Sequence, residues 1–121
     1  MNILDGNKIK QEILDTLKTK VCALEKKPTL CVIQLGNNPA SNVYISQKEK
    51  MCDYIGFEFI HKKLDENTPE NEIVNIINEL NNNEDINGIL VQMPLPTKID
   101  AKKIQNTILP IKDVDGLNDT N

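Results

Sequence analysis

The chain has 121 residues, 39% of them hydrophobic and 26% charged, which is ordinary globular usage for a single domain and excludes wholesale disorder. Its net charge is −4, and its 14 basic residues are all Lys, so the basic surplus and the Arg that a nucleic-acid groove presents are missing. No apolar run approaches the roughly 18 residues of a membrane helix, and the start, from Met1 to Gly6, lacks the basic flank and apolar stretch of a secretory signal.

In chain order, residues 7–26 predict a helix. Ile9, Ile13, Leu17 and Val21 recur every four residues, and Leu14 and Leu24 widen the apolar stripe. Lys26, Lys27 and Pro28 are expected to end it, because cations suit a helix C-terminus and proline cannot continue the turn. Residues 29–35 form a short apolar run closed by Gly36, the pattern of a buried strand. Asn37 to Ser41 is a loop by composition, and a second helix is expected from Ser41 to Ile55 with Gly56 as its cap. Residues 57–64 predict an extended segment.

Thr68-Pro69-Glu70 is a helix start: Thr68 can cap, Pro69 suits the first turn and Glu70 favours the positive end. Ile73, Ile76, Ile77 and Leu80 supply the apolar face, and Asn81-Asn82-Asn83 ends the helix as a loop. Residues 88–92 predict another apolar strand, after which Met93-Pro94-Leu95-Pro96 must leave the sheet. Asp100 is expected to cap a short helix through Ile108, and residues 110–121 are polar and turn-rich. Strands alternating with helices predict an α/β fold, a three-layer αβα domain with a short parallel sheet. Ligands in such sheets bind outside the carboxyl ends of the strands. That rule puts residues 36–41 and 92–96 on one rim, with 110–116 a further candidate.

Three places carry chemistry. Tyr44 and Lys48, four apart on the second helix, share one face. A Lys beside an aromatic ring and away from bulk water can serve as a general acid or base, although such pairs occur on many helices. Gln92 ends the apolar strand, where its amide can offer a donor and an acceptor to the rim, and the two prolines after it stiffen the exit; an ordinary strand-to-loop turn fits equally. Asp113 and Asp115 flank Val114 ahead of Gly116. They lack the further ligands of a calcium loop, and composition alone reads them as a surface turn. Cys22, Cys31 and Cys52 have no CxxC spacing and predict reduced thiols in a cytosolic protein. His61 is the only histidine, so neither a zinc site nor a Ser-His-Asp triad is expected, and no metal is assigned.

In this order and at this spacing, the stretches 36–48, 88–96 and 110–116 resemble bifunctional methylenetetrahydrofolate dehydrogenase/cyclohydrolase, in its N-terminal folate-binding half. The resemblance runs from the first helix to the end of the chain and makes residues 1–121 a folate-binding catalytic domain. It implies that Tyr44 packs on the folate and that Lys48 is the acid/base of the cyclohydrolase step. Gln92 would hydrogen-bond Lys48, and Asp115 would hold the pterin. Val91, Pro94 and Leu95 complete the implied substrate contacts. The implied ligands are tetrahydrofolate derivatives, oxidised at the methylene carbon and then opened by water to 10-formyltetrahydrofolate. NADP is implied to be held by a dinucleotide-binding domain after the Asp-Val-Asp-Gly motif. No GxGxxG run occurs in this sequence, and no cofactor-binding residue is assigned to it. A homodimer is implied for the full-length protein, in the cytoplasm. A folate-binding half-domain without turnover when isolated is the alternative.

Overall fold

A computed structural model of the chain describes residues 3–114. The elements are helices α1 (Ile3–Cys22), α2 (Pro39–Ile55), α3 (Glu70–Asn81) and α4 (Ala101–Thr107), with strands β1 (Thr29–Leu35), β2 (Glu58–Leu64) and β3 (Gly88–Val91) between them. A 3-10 turn, Pro110–Lys112, follows α4. The three strands form one parallel sheet in the order β2-β1-β3.

Side chains on a strand alternate between faces, and this sorts the core. Cys31, Ile33 and Leu35 of β1 and Ile89 and Val91 of β3 point to one face. There they pack with Ile73, Ile77 and Leu80 of α3 and Ile104 of α4. Val32 and Leu90 point to the other face, against Ile45 of α2. The expected three layers are therefore present, with α2 on one side and α3 and α4 on the other.

Gly56 closes α2 in the left-handed region (φ 93°), and its N–H donates to the Cys52 carbonyl. A Cβ there would stand 3.3 Å from Val21 Cγ1, so the same glycine lets α1 approach α2. Two sequence expectations need correction. Helix α1 begins at Ile3, four residues before the expected start, and ends at Cys22, four residues short of Lys26, because tight turns from Ala23 N–H to Lys20 O and Leu24 N–H to Val21 O close it first. Its stripe reaches the core only at Val21; Ile9 and Ile13 are about half exposed, at 49% and 55%. Thr68 does not cap α3: its hydroxyl donates to the Asp65 carbonyl, and Pro69 occupies the cap position without a side-chain bond. Glu70 instead ties α3 to α4, accepting the Asp100 N–H (2.8 Å) and facing Lys103 Nζ (3.3 Å).

Candidate active site

The period-2 rule aims Gln92. Leu90 faces α2, so Gln92, two residues on, faces α2 as well. Its backbone N–H donates to Ile33 O (2.9 Å), which carries the pairing of β3 with β1 one residue past the strand. On α2, Ile45 is buried on the sheet, and Lys48, one turn later, lies above the carboxyl ends of the strands. The two side chains meet: Lys48 Nζ donates to Gln92 Oε1 at 2.8 Å. Gln92 is only 9% exposed and Lys48 is half-buried.

The amide is held from behind. Gln92 Nε2 donates to the Met93 carbonyl (3.2 Å), which also accepts from the Ser41 hydroxyl (3.2 Å). With Nε2 so engaged, Oε1 is left for the lysine. The Met93–Pro94 peptide that follows is cis. Tyr44, one turn before Lys48 on the same helix, is 56% exposed.

At the start of α2, Asn38 Oδ1 accepts the Ser41 N–H (3.1 Å), so a side-chain cap fixes the helix that carries Tyr44 and Lys48. Deeper on the same face, buried Gln34 donates to Asn42 Oδ1 (2.7 Å), and its Oε1 lies 2.9 Å from His61 Nε2. His61 thus has a hydrogen-bond partner on β1.

The other sequence candidates divide. The Val91 side chain is in the core on the α3 side, away from Lys48, so only its backbone can reach a ligand at this rim. Pro94 is exposed, and Leu95 is half-buried against the core. Asp115 lies outside the described residues. Ser41 and Gln34 escaped the sequence reading because their partners lie on other elements. Cys31 and Cys52 are buried, and burial raises both thiols above their ordinary range; Glu49 adds to the rise at Cys52. Among the described residues no group of three or more His, Cys, Asp or Glu side chains could hold a metal.

The family model for the tetrahydrofolate dehydrogenase/cyclohydrolase catalytic domain matches residues 4–115. The chain belongs to this family. It is 49% identical over 117 residues to a bifunctional protein FolD of Lachnoclostridium phytofermentans, covering 94% of this chain and 42% of that protein. Among solved structures, the bifunctional FolD enzyme of Campylobacter jejuni aligns with a TM-score of 0.94 at 38% identity, over 97% of this chain and 43% of that one. The FolD of Trypanosoma brucei, solved with NADP cofactor and an inhibitor, aligns with a TM-score of 0.84 at 29% identity, over 89% of this chain and 38% of that one. The chain therefore spans less than half the length of these FolD relatives. Within that span, the Lys48–Gln92 pair occupies the rim where open parallel sheets bind ligands.

Proposed function

We propose that this chain supplies the folate site and the acid/base lysine of a methylenetetrahydrofolate dehydrogenase/cyclohydrolase. The observation that carries this reading is the 2.8 Å contact between Lys48 Nζ and Gln92 Oε1, beside the exposed ring of Tyr44, in a member of the family. Tyr44 packs its ring on the folate, Lys48 moves protons, Gln92 orients Lys48, and Asp115 accepts the N–H donors of the pterin. Pro94, Leu95 and the backbone of Val91 line the edge of the same site.

The reaction class is oxidation of 5,10-methylenetetrahydrofolate and hydrolysis of the methenyl product to 10-formyltetrahydrofolate. In the hydrolytic step the methenyl cation is the electrophile. Water adds to the methenyl carbon and loses a proton; one C–N bond of the ring then breaks, its nitrogen taking up a proton while the hydroxyl gives up its own to become the formyl carbonyl, so that one proton is released overall. Lys48 Nζ, held in place by Gln92, is the group in reach to carry that proton. A nicotinamide cofactor would supply the hydride acceptor of the oxidative step. The described residues do not fit it: the turn from Gly36 into α2 lacks a glycine-rich run, and the Ser41 N–H at the helix start is already taken by Asn38. NADP accordingly belongs to a part of the protein outside this sequence. The same family membership supports a homodimer for the whole protein and a cytoplasmic location. No helix among the described residues is long and apolar enough to cross a membrane.

Equilibrium binding of tetrahydrofolate to the 121-residue chain tests the site. Tyr44→Ala and Asp115→Asn should each weaken binding by about tenfold, or ~1.4 kcal/mol. Binding by both variants as tight as by the unaltered chain would overturn the folate reading.

A further inference from the structure

The helix that carries Lys48 and the strand exit that carries Gln92 are tied at a second point, away from the lysine. Ser41, in the first turn of α2 and only 4% exposed, donates its hydroxyl to the Met93 carbonyl at 3.2 Å. Met93 lies past the end of β3, beyond the ladder that pairs this strand with β1. The other donor to its carbonyl is Gln92 Nε2, also at 3.2 Å. A carbonyl oxygen has two lone pairs, and these two side chains take both. An amide turned end for end would set its oxygen against that carbonyl and its NH2 group against the Lys48 ammonium, two repulsive contacts. The Met93 carbonyl is therefore the reference that orients the amide, and the Ser41 hydroxyl holds the reference in place.

Ser41 is fixed by groups other than Lys48. Its N–H donates to Asn38 Oδ1 (3.1 Å). The next residue, Asn42, accepts from buried Gln34 of β1 (2.7 Å) and donates to Asn37 (2.9 Å). The first turn of α2 is thus pinned to β1 on one flank and to the exit of β3 on the other. A serine serving only the helix start would turn its side chain to a backbone N–H of α2, as Asn38 does; the Ser41 proton goes to another element. Lys48 gains and loses a proton in the proposed reaction, whereas the serine hydroxyl donates throughout.

We infer that Ser41 is a positioning residue for the hydrolytic step: its hydroxyl holds the Met93 carbonyl that orients the Gln92 amide, and through that amide it aims Lys48. The inference rests on the reading of Lys48 and Gln92 as the acid/base lysine and its orienting amide.

A double-mutant cycle on 5,10-methenyltetrahydrofolate hydrolysis by the 121-residue chain tests it. Ser41→Ala should lower kcat by about fivefold, the scale of one buried hydrogen bond, and change KM by less than about twofold. In a Gln92→Ala background the same substitution should lower kcat by less than about twofold, because Ser41 acts through that amide. If Ser41→Ala does not fold, Ser41→Cys, which puts a weak donor in its place, must give the same pattern. Equal losses in both backgrounds, or a loss confined to KM, would overturn the inference and leave the Lys48–Gln92 reading standing. So would no loss from Ser41→Ala when Gln92→Ala itself slows hydrolysis. Full activity in Gln92→Ala, or no acceleration by the unaltered chain, would overturn that reading and the inference with it.

Discussion

Gln92 has one oxygen and one NH2 group, and both are committed: the NH2 group to the Met93 carbonyl and the oxygen to Lys48. Truncating it removes the oxygen that aims the lysine but leaves the lysine in place. Gln92→Ala should therefore slow methenyltetrahydrofolate hydrolysis by about tenfold, well short of the ~10²–10⁴-fold that a general acid–base residue supplies. A steady-state assay at saturating substrate checks this. The cysteines permit a second prediction. The Cys31 and Cys52 thiols are buried and raised, whereas Cys22 is exposed. A disulfide reagent at neutral pH should label Cys22 promptly and the other two only on unfolding, since the thiolate is the reactive form. Prompt labelling of all three would contradict the packing. Tyr44 and Lys48 were legible because an interval of four needs only a helix. Ser41 was not, since its partner Met93 lies 52 residues away.

At the scale of elements, α3 and α4 are joined by Glu70, whose carboxylate accepts the Asp100 N–H and faces Lys103; these hold it below its ordinary value of 4.5. A depressed carboxylate stabilises the fold above its unfolded pKa, and that contribution fades as pH falls through the folded value. Stability should therefore drop as pH falls below the ordinary value of 4.5, and Glu70→Gln should flatten that part of the curve, read by urea melts across the acid range. β3 offers a packing test. A Cβ at Gly88 would stand 2.7 Å from Val114 Cγ1 and 3.2 Å from Leu30 Cδ1. Gly88→Ala should cost about 1–3 kcal/mol and lower Tm by several degrees, measured by calorimetry. The four helices and three strands were legible from period and breakers, but the 3-10 turn at Pro110–Lys112, both ends of α1 and the cap of α3 were not. Residues 23–26 left α1 because backbone turns closed it early, and Thr68 gave its hydroxyl to Asp65, a local bond that competes with capping.

Across the whole molecule, the parallel sheet gathers the site by geometry that the sequence states in part. Alternation along β3 puts Gln92 on the α2 side, and the rim rule puts both on the ligand-binding edge. The strand order β2-β1-β3 and the exposed stripe of α1 could not be read from period alone, because period reports a face and not its neighbour. The central claim is that this rim carries the hydrolytic chemistry through Lys48. The most direct measurement follows the decay of 5,10-methenyltetrahydrofolate absorbance with the 121-residue chain, in buffer where spontaneous hydrolysis is slow, beside Lys48→Ala. The account predicts acceleration by the chain and its loss, by about 10²-fold or more, in the variant. Acceleration that survives Lys48→Ala, or none at all from a chain that binds folate, would contradict it.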